Sequence, residues 1–112
     1  MPTFKAGDIV RVPFPYTDRN TRQHRPALII SNGTVGDNGE LLWVLMITSA
    51  ENKPWTGDVR ISGHSDAGLP APSVIRTVKI ATIEAAKASR LGQVTKHTLA
   101  QVIRSLENIV LK

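Results

Sequence analysis

Two places in this 112-residue chain hold groups whose chemistry suits a phosphate. Arg25 stands just before the apolar run 27–30, and Thr48 with Ser49 closes the apolar run that begins at Leu41. A guanidinium offers forked donors that match two phosphate oxygens, and hydroxyls add further donors. Between the two runs, Asn32-Gly33 and Asn38-Gly39 supply turn chemistry twice, so the runs should pair as an antiparallel hairpin. The start of one strand and the end of the next then lie at the same sheet edge. Arg25, Thr48 and Ser49 are expected to converge there. Two readings stand side by side: a phosphate site, or a surface arginine and plain turn chemistry.

The charge around Arg25 points the same way. Arg19, Arg22, His24 and Arg25 fall in one short polar stretch, with Asp18 the only acid among them. Over the whole chain 14 basic residues face 9 acidic ones, a net charge of +5 that favours a polyanionic or acidic partner. Cysteine is absent from the sequence, which excludes a disulfide scaffold, a thiolate nucleophile and any Cys-ligated zinc. His24, His64 and His97 show no ligand spacing with one another or with carboxylates, so neither a metal nor another cofactor is expected. Asn32-Gly33-Thr34 matches a glycosylation sequon but reads as a turn. Gly63-His64-Ser65-Asp66-Ala67 half resembles a nucleophile elbow, yet prolines follow where an elbow needs a helix.

The elements that must position these groups are short. Ile9, Val10 and Val12 read as a first strand that ends at Pro13. Residues 16–24 are polar and aperiodic, a long loop of the kind that is usually functional in a compact domain. The run 27–30 reads as a strand buried on both faces, and LLWVLMITS as the strongest strand of the chain. Residues 59–61 form a weak fourth strand, and 62–73 are too rich in glycine and proline to be regular. Residues 74–80 make a fifth strand, and 83–89 a short helix with Gly92 as its stop. Leu99, Val102, Ile103, Leu106, Ile109 and Val110 recur at helical spacing as one apolar stripe. Thr95 or Thr98 can cap that helix, and Thr98 with Gln101 has capping-box spacing. Phe14 and Trp43 are assigned to the core.

Five short strands and one amphipathic helix make a mainly β fold: a small barrel or curled sheet with the helix on its open side. The length and the lack of a linker imply a single domain over 1–112. Hydrophobic residues at 41% and charged residues at 21% argue against a disordered chain. The longest apolar run, 41–47, falls far short of the roughly 20 residues of a membrane span. Lys5 and Asp8 interrupt the N-terminal segment as a secretory leader. A soluble, cytoplasmic protein is expected. The helix stripe and strand 41–47 offer more apolar surface than so thin a core covers, which suggests a homodimer.

GDIVRVPFPYTDRNTRQHRPALIISN, followed by a strand ending in ITS, resembles the MazF/PemK family of bacterial toxin ribonucleases. The resemblance continues loosely through VIRTVKI and the last helix. It implies an SH3-like or CcdB-like barrel of about five to seven antiparallel strands with a C-terminal helix, acting as a homodimer. It also implies metal-independent cleavage of single-stranded RNA (mRNA) at short sequences, inhibition by a cognate antitoxin, and DNA binding together with that antitoxin. Residue by residue, the family's RPA arginine falls on Arg25, its strand-end threonine on Thr48, and the arginine of VIRT on Arg76. These three are the expected catalytic set.

In some relatives an acid stands two positions after that last arginine; here the position holds Val78. Proton transfer then falls to another group, with His24 and Asp18 nearest in sequence, or catalysis is weak. His24 has the right intrinsic range for a base; a loop histidine that only touches RNA is the other reading. RNA carries its own nucleophile, the 2′-hydroxyl, so the protein need only align it and stabilise charge at phosphorus, leaving a 2′,3′-cyclic phosphate. Tyr16 and Trp55 are candidates to stack on bases, while Trp55 also reads as a half-buried loop anchor. The expected RNA-binding set is Tyr16, Asp18, Arg19, Arg22, His24, Ser49 and Trp55. Two other classes compete: a non-catalytic CcdB-like poison of DNA gyrase, and a plain RNA-binding module.

Overall fold

Alternating aliphatic residues between glycine turns produce six strands and one helix in the computed structural model, which describes residues 3–13 and 24–110. The strands are β1 (Asp8–Pro13), β2 (His24–Ile29), β3 (Leu41–Ser49), β4 (Val59–Arg60), β5 (Ser73–Glu84) and β6 (Ser89–Gln93). A single 3₁₀ turn, Ala85–Lys87, separates β5 from β6, and α1 (Lys96–Val110) closes the chain. All pairings are antiparallel, in the order β4-β5-β3-β2-β1-β6. The sheet curls into a half-barrel, mainly β with one C-terminal helix. The expected hairpin of β2 and β3 forms, with Ala27 opposite Met46 and Ile29 opposite Val44.

Each face of the sheet carries an apolar cluster, because successive side chains of a strand point to opposite sides. Val10, Val12, Ala27, Ile29, Leu42, Val44 and Met46 pack on one face with Phe4 and Ile83. On the other face Ile9, Leu28, Leu45, Ile47 and Ile75 pack against Val102 of α1. Of the run 27–30, Ala27, Leu28 and Ile29 are fully buried, as its unbroken apolar character predicts, while Ile30 lies past the end of β2 and is only partly buried.

β5 is bent. Its pairing with β3 runs from Leu41–Glu84 to Leu45–Ile80, then resumes at Met46–Arg76. Residues 77–79 are therefore extra on the β5 side, a bulge of the kind that turns a strand and increases local twist. Beyond it β5 also pairs with β4, through Val59–Ile75.

The chain after β4 crosses to the opposite edge of the sheet. Ala67 and Leu69 are buried there, and Ala67 lies so close to β6 that a Cβ on Gly92 would strike its carbonyl oxygen. Gly92 therefore serves a close approach within a strand rather than the end of a helix. Gly92→Ala is expected to destabilise the fold by about 1–3 kcal/mol, the usual cost of overpacking. A thermal melt that leaves Tm unchanged would contradict this contact.

Three expectations need correction. Residues 83–89 are not a helix: Ile83 pairs with Leu42 inside β5, and only one 3₁₀ turn follows. Residues 89–93 are a sixth strand, anchored on β1 with Arg90 Nη2 3.3 Å from Oδ1 of the fully buried Asp8. That strand is solvated on both sides along most of its length, so it shows no alternation to read. Trp43 is 50% exposed and lies outside the core. It shares the face of Leu45 and Ile47 but precedes the part that α1 covers. Phe14 lies outside the described residues.

α1 starts as expected, and Thr95 is its cap: the Thr98 backbone N–H donates to Thr95 Oγ1 at 3.1 Å. Thr98 itself is a buried residue of the first turn. Of the expected stripe, Val102 is fully buried and Leu99 and Leu106 partly so. Ile103, Ile109 and Val110 remain exposed. No helix among the described residues is long and apolar enough to cross a membrane.

Candidate active site

Residues directly opposite one another in an antiparallel sheet share a face. Val12 pairs with Arg25, Ala27 with Met46, and Met46 with Arg76. Thr48 is two residues beyond Met46 on β3 and pairs with Val74. By these registers Arg25, Thr48 and Arg76 lie on one face, at the end of the sheet where β2 begins and β3 ends. Arg25 lies two residues before Ala27 on β2 and Thr48 two residues after Met46 on β3, just beyond the last pair of those two strands. Thr48 and Arg76 are each 8% exposed, and Arg25 is half-buried.

The segment between β3 and β4 folds back on this corner. Asn52 Nδ2 donates to Thr48 Oγ1 at 2.6 Å, and the Lys53 carbonyl accepts from Arg76 Nη2 at 2.6 Å. Asp58 Oδ1 sits 3.6 Å from Arg76 Nε, an ion pair with both side chains about nine-tenths hidden from solvent. The other Asp58 oxygen accepts the Trp55 backbone N–H at 2.9 Å, and the Asp58 N–H returns a bond to the Trp55 carbonyl at 3.1 Å. The Arg76 guanidinium carbon lies 4.3 Å from the centre of the Trp55 ring, with Lys79 Nζ 5.3 Å from that centre. Both are cation–π distances. Arg76 thus fixes the segment, and Trp55 is presented on it 40% exposed.

The far end of the segment is tied as well. Thr77 Oγ1, in the bulge of β5, donates to the Gly57 carbonyl at 2.8 Å and lies 3.1 Å from Ser105 Oγ of α1. Ser105 Oγ is itself 3.4 Å from the same carbonyl. Gly57 has φ +92°, and a Cβ there would come 2.8 Å from Thr77 Oγ1, so glycine is needed on both counts.

The remaining expected site residues are distributed as follows. Ser49 ends β3 on the face opposite Thr48, so it does not converge with Arg25 as expected, and its hydroxyl accepts the Glu51 N–H at 3.2 Å, a turn contact. His24 opens β2 and is exposed, but strand alternation sends its side chain to the face opposite Arg25. Tyr16, Asp18, Arg19 and Arg22 lie outside the described residues. Val78 is 49% exposed in the bulge and brings no carboxylate. Asp58 is the acid nearest to Arg76 in the contacts described, and its Oδ1 is closed off from solvent. It acts as a counter-charge. Among the described residues, no group of three His, Asp or Glu side chains could hold a metal ion.

Asn52, Asp58 and Lys79 were not singled out from the sequence. Asp58 stands three residues after Trp55, a spacing that allows a side chain to cap a turn, which is a usable but faint signal.

A family model for the PemK-like, MazF-like toxin of type II toxin-antitoxin systems matches residues 5–110. The chain belongs to this family. The toxin's fold also resembles that of solved relatives. MazF of Deinococcus radiodurans (form I) aligns over 100% of both chains with a TM-score of 0.79 at 21% identity. A MazE-MazF structure from the same organism (form II) aligns over 98% of this chain and 97% of the other, with a TM-score of 0.76 and 20% identity. An endoribonuclease in complex with its cognate antitoxin, from a mycobacterial species, covers 93% of the toxin and 91% of its own chain, with a TM-score of 0.68 and 20% identity. No curated protein matches the toxin in sequence. At these identities the solved structures establish the fold, and the family model establishes the class.

Proposed function

We propose that this toxin is an endoribonuclease that cuts single-stranded RNA at short sequences without a metal. The observation that carries the reading is the placement of Arg25, Thr48 and Arg76 on one face at one end of the sheet. A relative of the same fold is described as an endoribonuclease, which supports it.

In this reading the 2′-hydroxyl oxygen attacks the adjacent phosphorus. The P–O5′ bond breaks, the nucleophile loses its proton to a base, and the departing 5′-oxygen gains one. The products are a 2′,3′-cyclic phosphate and a 5′-hydroxyl. Arg25 offsets the charge that gathers on the phosphoryl oxygens, and Thr48 donates to one that does not bridge. Arg76, its charge opposed by Asp58, acts beside them by holding Trp55, on which a base stacks. Tyr16, Arg19 and Arg22 grip the flanking RNA, with Ser49 at the rim. With His24 directed to the other face, Asp18 is the remaining sequence candidate for the proton acceptor.

The expected partners are a cognate antitoxin and a second copy of the toxin. One similar structure pairs MazF with MazE, and another pairs an endoribonuclease with its antitoxin. Acidic residues of such an inhibitor would oppose the basic stretch from Arg19 to Arg25. Trp43, Ile80, Ile109 and Val110 leave apolar surface exposed for an interface between copies.

Incubation with single-stranded RNA and excess EDTA is expected to give discrete cuts ending in a cyclic phosphate. Loss of the cuts with the chelator would overturn the mechanism. A non-catalytic poison of gyrase has one observation in its favour, valine at position 78. It predicts gyrase inhibition with intact RNA, so both assays belong in the same experiment.

A further inference from the structure

We propose that Asn52 is a positioning residue that sets the direction in which the Thr48 hydroxyl donates; the inference rests on the nuclease reading above. A threonine hydroxyl has one proton to give and two lone pairs with which to receive, and its rotor settles toward whichever acceptor is near. The Asn52 side-chain amide places a donor 2.6 Å from Thr48 Oγ1. That contact occupies an accepting side of the hydroxyl, so the hydroxyl proton must turn away from Asn52. Thr48 shares its face with Arg25 and Arg76, and a proton directed to that face is presented to a phosphoryl oxygen held between them. Asn52 thus removes a rotational choice before the substrate arrives, which is how a hydrogen bond becomes preorganised.

The side chain is fixed well enough to do this. The Asn52 backbone N–H donates to the Ser49 carbonyl at 3.1 Å, closing a turn directly after β3. Within that turn the Glu51 N–H donates to Ser49 Oγ at 3.2 Å. The Ala50 N–H donates to the Pro72 carbonyl at 3.0 Å, which ties the turn to the residue before β5. The role rests on the amide nitrogen, not the amide oxygen, facing Thr48. An aspartate in the same place would offer an acceptor and capture the Thr48 proton.

A double-mutant cycle tests this, with single-turnover cleavage of a single-stranded RNA over a range of excess toxin concentrations as the readout and thermal melts as the control for folding. Asn52→Ala is expected to slow cleavage at saturation about tenfold, the upper range for one net hydrogen bond, with the half-saturating toxin concentration nearly unchanged. Asn52→Asp is expected to be slower than Asn52→Ala. In a Thr48→Val background, where Arg25 still supports a measurable rate, adding Asn52→Ala is expected to cost nothing more, because the hydroxyl it orients is gone. A full rate for Asn52→Ala, an Asn52→Asp variant as fast as Asn52→Ala, or an undiminished loss in the Thr48→Val background would each overturn the positioning role. If the wild-type toxin leaves RNA uncut, the nuclease reading fails and this inference falls with it. Cutting by the wild type with additive losses overturns the positioning role alone.

Discussion

Arg25→Ala is expected to lower the rate of RNA cleavage by about a hundred- to a thousandfold, the usual cost of removing one preorganised donor from a charge-stabilising site. Fold stability should fall only modestly. Arg25 stands in the second pair of β1 and β2, opposite the buried Val12, and is itself only half-buried at the end of the sheet. The aliphatic ladder that holds β2 begins two residues later, at Ala27. Arg25→Lys keeps the charge but loses the planar fork that matches two phosphoryl oxygens, so it should recover little of the rate. Single-turnover cleavage beside a thermal melt checks both statements. Unaltered cutting by the folded alanine variant would remove Arg25 from the mechanism.

The second large effect concerns stability. Asp58→Ala is expected to cost about 3–5 kcal/mol, because it strips the counter-charge from an arginine that is nearly buried. Arg76 would keep its bond to the Lys53 carbonyl and its place at the Trp55 ring. Its Nε, closed off from solvent, would face no anion. The same substitution frees the Trp55 N–H from its 2.9 Å bond, so the segment after β3 loosens with it. For a chain of this length a loss of that size lowers Tm by more than about 10 °C. Asp58→Asn retains an acceptor for Trp55 and should fall between the two. A melt indistinguishable from wild type would show that the pair contributes nothing to the fold.

How far these residues could be found without coordinates depends on the range over which each is held. Arg25 and Thr48 were legible because a hairpin with two Asn-Gly turns relates them by simple antiparallel counting. Ala27 to Ile29 were legible as core from their unbroken apolar run. Arg76 came only from family likeness, since nothing local to VIRT marks it as a neighbour of Thr48. Trp55 stands out as an aromatic in a loop, but what holds its segment, with Asn52 and Asp58, was opaque for a definite reason. Its fastenings join residues 23, 20 and 48 positions apart, at Arg76–Lys53, Thr77–Gly57 and Ser105–Gly57. β6 escaped notice because a strand wetted on both sides has no period to detect. The helix stripe was visible in full, but not how much of it the sheet would cover. That depends on where α1 crosses, which spacing alone does not encode.

The three oxygens of Gly57, Thr77 and Ser105 have a mechanical consequence. They clasp a turn, a strand bulge and a helix from widely separated parts of the chain, all at a single carbonyl. Segments joined in this way tend to open as one cooperative unit rather than fray separately. A protein that grips the last helix near Ser105 would therefore also be pulling, through that clasp, on the turn that frames Trp55.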